Sequence, residues 1–165
     1  MTAYVFFTPE AAVFEDSNFP EYVKNLGTNF PVSGLAFDAA TEETAFWKFV
    51  AAEYASGNLT LDIFWYADTA TADDVIWGAA ISVITANTDT QDIETDAFAT
   101  ANTVTDTHLE TTGQRLHKAT ITISNLDSLA DGDHVVIKIY RDADDAGDDM
   151  TGDAIMTLAV LSYTT

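Results

Sequence analysis

The chain has 165 residues, with 27 acidic side chains against 6 basic ones, a formal net charge of −21 and a pI near 4.1. Hydrophobic residues make up 47% and cysteine is absent, so one domain can bury a proper core. Disulfide scaffolding, thiolate metal sites and cysteine nucleophiles are excluded. So acidic a surface repels phosphate backbones and anionic lipid, which makes nucleic acid and membrane poor partners.

Four causes of the charge compete: adaptation to high salt, a sponge for divalent cations, a basic partner, and plain solubility. The scarcity of lysine favours salt or marine adaptation, because an ordinary soluble surface mixes both signs. The opening MTAYVFFTPE lacks a basic n-region and a long apolar stretch, so a secretory signal is not expected. No apolar run reaches the length that spans a bilayer.

Residues 1–32 hold all three prolines and a crowd of aromatic residues, Tyr4, Phe6, Phe7, Phe14, Phe19, Tyr22 and Phe30, without a clear alternating strand. They are expected to form an irregular N-terminal arm or attachment segment. It would pack on its own domain or on a neighbouring subunit, since aromatics supply much of the burial in interfaces.

From residue 33 to 165 the chain reads as one β-domain. Strands are predicted at 34–38, at 44–52 and, after the turn at Gly57, at 59–67. The next, at 75–85, is apolar on both faces and therefore central. A Thr-rich edge strand at 100–107 follows an acidic loop at 87–96. Clean alternation then marks 117–124 and, after Asp131-Gly132-Asp133, 134–141, and a last strand at 154–163 closes the chain. About eight short strands at fairly regular spacing predict an all-β fold, an antiparallel β-sandwich of jelly-roll type, with an immunoglobulin-like sandwich as the alternative.

The search for chemistry yields little. His108, His117 and His134 sit in no metal pattern, and no GxSxG elbow or glycine-rich phosphate loop occurs. No catalytic residue is assigned, and an enzyme is not expected. Carboxylates are so abundant that no single pair is informative. The loop RDADDAGDDMTGDA gathers Asp142, Asp144, Asp145, Asp148 and Asp149, with Asp153 beyond. It is the one candidate metal site, of Ca²⁺ type, because hard cations take several converging oxygens. It departs from an EF-hand at Ala146, where a ligand belongs, and no Glu closes it. Asp89, Asp92, Glu94 and Asp96 form a weaker group. The competing reading of both is a solvated acidic loop. Trp47, Trp65 and Trp77 sit mid-strand, and Trp47 and Trp65, which share a parity with small or apolar neighbours, are read as core. Phe64 and Tyr66 face the other way from Trp65, and with Phe6, Phe7 and Phe14 they form the candidate interface or ligand patch.

The stretch LTLDIFWYADTATADDVIWGAAI, followed by DAFATANTVTDT and IKIYRDADDAGDDMTGDAIM, resembles small β-sandwich virion proteins of tailed phages and related viruses. The resemblance covers roughly residues 33–165. It implies a structural subunit on the virion surface, made in the host cytoplasm. Its partner would be the major capsid protein or another virion protein, and its oligomeric state a trimer. The expected role is a capsid decoration or cement subunit. A fibre, turret or adsorption component is the alternative within the particle, and a carbohydrate-binding module the alternative outside it.

Overall fold

The computed structural model describes residues 1–67, 71–109 and 113–165. The fold is the expected antiparallel sandwich, built from ten strands. They are β1 (Thr2–Phe7), β2 (Glu21–Leu26), β3 (Pro31–Phe37), β4 (Glu43–Val50), β5 (Ser56–Tyr66), β6 (Asp74–Ile84), β7 (Asn102–Thr107), β8 (His117–Ile123), β9 (His134–Arg141) and β10 (Ala154–Thr164). One sheet has six strands in the order β2-β3-β10-β5-β8, with β1 also paired to β10; the other has four, in the order β4-β9-β6-β7.

The excess over eight strands lies in the N-terminal segment, and this corrects the expectation of an irregular arm. Strand β1 pairs with β10 along its whole length, from Thr2–Thr164 to Phe7–Ala159. Strand β2 forms a hairpin with β3 from Glu21–Ala36 to Leu26–Pro31. Alternation in β1 is present but carried by aromatics on both faces. Ala3, Val5 and Phe7 turn to the core, while Tyr4 and Phe6 turn to solvent. Side-chain hydropathy therefore hides the period of two. In β2 the outward residues dominate, and only Val23 is half-buried.

Period-two alternation places the core as the sequence predicts. Leu59, Leu61, Ile63 and Trp65 of β5, Ala119, Ile121 and Ile123 of β8, and Val135, Ile137 and Ile139 of β9 all point between the sheets. Trp47, Trp65 and Trp77 are buried there. Strand β6, apolar on both faces, is central in its sheet, between β9 and β7. The turn at Asp131–Asp133 uses Gly132 at φ +84, a conformation that costs a glycine least.

The β9–β10 loop is tied down by a buried ion pair. The Arg141 guanidinium donates through Nε and Nη2 to the two carboxylate oxygens of Asp148, at 2.9 and 2.6 Å, with both side chains fully buried. Arg141 also donates to the carbonyls of Phe37, Met150 and Gly152. Asp148 in turn accepts from the Ile76 amide at 3.0 Å. The pair thus joins β3, β6, β9 and the loop into one satisfied network, which is what a buried charge requires.

Candidate binding groove

The outer face of the four-stranded sheet carries a concavity. Its strand register sets side chains in cross-strand rows: Thr44–Tyr140–Gly78, Phe46–Lys138–Ala80 and Lys48–Val136–Ser82. Bulky residues on β4 and β9 thus lie beside Gly78, Ala80 and Ser82 on β6, and the groove opens toward the Lys48–Val136–Ser82 row. At Gly78 the reason for glycine is steric. A Cβ there would lie 2.2 Å from the Tyr140 ring, so the ring rests directly on the backbone.

Two segments raise the walls. Residues 93–98 fold back over the sheet, held by the Ala99 amide on the Ile81 carbonyl at 2.9 Å and by Ser82 Oγ donating to Asp96 Oδ2 at 2.8 Å. On the other side, Val13 and Phe46 exchange backbone hydrogen bonds at 2.9 and 3.0 Å, and Trp47 Nε1 donates to the Thr8 carbonyl at 2.9 Å. The enclosed volume is about 520 Å³, lined by Phe46, Phe98, Val136 and Ile93 with Lys48, Ser82, Glu94 and Asp96. The Phe46 and Phe98 rings lie 6.0 Å apart. Lys138 Nζ sits 5.3 Å from the Phe98 centroid and 5.5 Å from that of Tyr140, within cation–π range.

The groove therefore combines aromatic faces, a hydroxyl, two carboxylates and one ammonium group, that of Lys48. Such a mixture suits an uncharged polar ligand with one apolar side.

The residues singled out from the sequence do not converge there. Phe7 is core, 2% exposed, between Trp47 and Phe49 at 5.8 Å from each, so its place in an exposed patch is corrected. Phe6 points outward on β1 and also reaches the rim of the groove. Phe14 packs against Phe19 instead, with tilted rings whose centroids lie 5.6 Å apart. Phe64 and Tyr66 lie on the outer face of the six-stranded sheet. Tyr66 is nonetheless buried, packed with Ala36 and Ile155, and its hydroxyl accepts from Asn25 Nδ2 at 2.7 Å. The β2–β3 hairpin that covers it runs through the segment expected to be an arm.

The acidic loop is a strut. Asp148 faces Arg141, Asp149 accepts the Asp74 amide at 2.7 Å, and Asp145 accepts the Gly147 amide at 2.8 Å. Burial, then Asp145, Asp144 and Asp148, push the Asp142 carboxyl above its usual range. Among the described residues no group of three or more His, Asp or Glu is placed to hold a metal ion. The weaker group is divided likewise. Asp89 accepts the Thr85 amide, Asp92 the Glu94 amide, and Asp96 the Ser82 hydroxyl.

Histidine placement was not legible in the sequence. His108 and His117 are both buried, with ring centroids 4.6 Å apart, and His117 stacks on Trp65 at 4.8 Å. Trp65 Nε1 donates to Asp106 at 2.7 Å. Both ring nitrogens of His108 and Nε2 of His117 have no partner among the described residues. Burial, and then His108, hold the His117 imidazole below its ordinary pKa of 6.5. His134 begins β9 opposite Val50 and Ile84, far in register from that pair.

The groove residues Phe46, Lys48, Ser82, Phe98 and Val136 were missed as a site. The available signal was their shared outward parity on β4, β6 and β9, together with the small outward residues of β6.

No family model matches the chain, and no curated protein is similar to it. Solved structures with a similar chain path include the CBM36-1 domain of a multidomain xylanase from the hindgut metagenome of Trinervitermes trinervoides. It is 7% identical, with 99% of each chain covered and a TM-score of 0.48. A carbohydrate-binding module, CBM28, specific for non-crystalline cellulose, is 6% identical over 92% of this chain and 85% of that one, with a TM-score of 0.47. CBM27-1 of Caldicellulosiruptor saccharolyticus, in complex with mannohexaose, is 5% identical over 96% of each chain, with a TM-score of 0.45. At such identities the likeness is one of sandwich architecture.

Proposed function

We propose that this protein is a non-catalytic binding module that holds a saccharide chain in the groove on the outer face of its four-stranded sheet. The carrying observation is the Phe46–Phe98 pair beside Ser82, Glu94 and Asp96 in an open trough. A pyranose ring has an apolar C–H face that stacks on aromatics and a rim of hydroxyls that carboxylates and serine accept or donate to. Being uncharged, it is not repelled by a −21 surface, whereas nucleic acid and anionic lipid are.

Affinity electrophoresis through gels containing β-glucan, mannan or xylan tests this reading. Retardation of the wild type by at least one polysaccharide is expected, with about tenfold weaker binding in Phe46→Ala or Phe98→Ala, the size of a typical anchor residue. If no glycan retards the protein, the reading fails.

A second reading places this module on a virus particle. It is supported by the resemblance of residues 33–165 to virion proteins. One of the segments carrying that resemblance, DAFATANTVTDT, supplies the groove residues Asp96 and Phe98. Among positions on a particle, a fibre or adsorption component makes better use of a saccharide groove than a cement subunit does, because host envelopes present glycans. Proteomics of purified particles together with a host-glycan binding assay distinguishes the two settings.

A further inference from the structure

Polar contacts hold β7 to the body of the sandwich. It is the outer strand of its sheet and pairs with β6 alone. Thr103, Thr105 and Thr107 turn to solvent, while Asn102, Val104 and Asp106 turn inward and His108 continues that row. Val104 is thus the one apolar side chain that the strand packs against the core. Asn102 Nδ2 donates to Ser124 Oγ at 3.2 Å, and its Oδ1 accepts the Ser124 amide at 3.1 Å. Asp106 accepts the Trp65 indole at 2.7 Å. At the far end His108 packs on His117 of β8, with Trp65 of β5 against both. A strand with so little apolar burial belongs to the part of a fold that opens first.

The histidine contact differs from the other two in having no hydrogen bond. Both rings are buried, 1% and 5% exposed, yet three of their four nitrogens have no partner among the described residues. A buried ring without an acceptor strongly disfavours its charged form. The charged groups that act on His117 are Asp106 on β7 and Arg115 just before β8. On the remaining sides Trp65 and Trp77 of β5 and β6 bring no charge. Asp62 and Lys118 face outward and pair with each other, and Asp73 and Asp74 accept the hydroxyls of Thr71 and Thr107. Asp106 is therefore the one carboxylate on hand for a proton on either ring.

We propose that the His108–His117 contact is an acid-sensitive clasp, which holds β7 against β8 and β5 at neutral pH and lets that strand open as the pH falls. Burial and then His108 hold the His117 imidazole below its ordinary pKa of 6.5, so the ring takes a proton more readily once it is exposed. Opening is therefore favoured progressively below about pH 6.5. One imidazole that stays neutral in the closed form makes opening about thirtyfold easier at about pH 5 than at about pH 8, and two make it about a thousandfold easier. Strand β7 can leave alone, because β6 keeps its ladder with β9 from Trp77–Arg141 to Ile84–His134. The edge of β6 is then left unpaired. The saccharide groove plays no part in this inference.

Amide hydrogen exchange of the full chain at about pH 8 and about pH 5, corrected for intrinsic exchange rates, tests the proposal. The amides of β7 and that of His108, which donates to the Asp73 carbonyl at 3.0 Å, should be less protected than those of β9 at both pH values. On acidification they should lose at least about thirtyfold in protection. The double variant His108→Phe with His117→Phe keeps two rings in place without a proton site, and should lose most of that response. Ring-proton NMR of the wild type gives a readout that needs no variant: His117 should take up its proton over the pH range in which the β7 amides open. The proposal is overturned by β7 protection that does not change with pH, or by β7 amides that exchange only as slowly as those of β9. It is also overturned by a double variant with the full acid response, or by a His117 ring that is protonated while β7 stays protected.

Discussion

Arg141 shows how one residue can hold several elements. Its guanidinium reaches Asp148 and the carbonyls of Phe37, Met150 and Gly152 from a position with no solvent exposure. Arg141→Ala leaves the Asp148 carboxylate buried and unpaired, and is expected to cost about 3–5 kcal/mol in urea unfolding. An apolar replacement of both partners would not repair this, because three carbonyls and the Ile76 amide would lose their partners. Gly78 acts through space alone. Gly78→Ala should displace the buried Tyr140 ring and lower the melting temperature, with little effect on glycan retention by the protein that stays folded. Lost retention at an unchanged melting temperature would place Gly78 in the groove instead.

His117 brings pH dependence. Its imidazole is buried beside His108, with Asp106 and Arg115 as the charged groups that also act on it. Its folded pKa is depressed, so the unfolded chain binds the proton more readily. Stability is therefore complete above the unfolded value of about 6.5 and declines as pH falls through it. Glu42, Glu43 and Asp142 act with the opposite sign, since burial raises their carboxyls, but in a lower window near their ordinary values. Urea melts between about pH 8 and about pH 5 should show a loss of stability in the wild type and a smaller one in His117→Gln. An equal loss in the variant would remove His117 as the cause.

At the scale of elements, β1 is the informative strand. Its two faces carry side chains of similar size, so only the pairing with β10 decides which face is core. Phe7→Ala should cost about 3–5 kcal/mol, as a buried aromatic does, while Phe6→Ala in dilute protein should stay within about 0.5 kcal/mol. The reverse order would mean a register shifted by one residue. Strands β5, β8 and β9 were legible because polar and apolar residues alternate strictly. Strands β1 and β2 were not, because aromatic residues occupy outward positions in both. The acidic loop shows a related limit. Composition marks where carboxylates are, whereas the amides of Asp74, Ile76 and Gly147 decide where they point.

For the whole molecule, the charge is the main lever. Like charges on the loops, where the net charge of the chain resides, repel one another in the folded state more than in the extended chain. Raising NaCl from about 0.01 M to about 1 M shortens the screening length from about 30 Å to about 3 Å. The melting temperature, followed by circular dichroism, should rise accordingly.

The sequence by itself determined the all-β class, the strand positions from residue 33 onward, the inward set of side chains and the sign of the surface. Each follows from local rules: period-two alternation, turn residues and composition. Tertiary structure alone decided that residues 2–7 and 21–26 complete the larger sheet, that Phe7 and Tyr66 are covered, and that Asp148 meets Arg141. It also decided that Phe46 meets Phe98 beside Lys48, Ser82 and Val136 in one groove. These depend on which strands become neighbours and in what register, and both are set by packing between segments far apart in the chain.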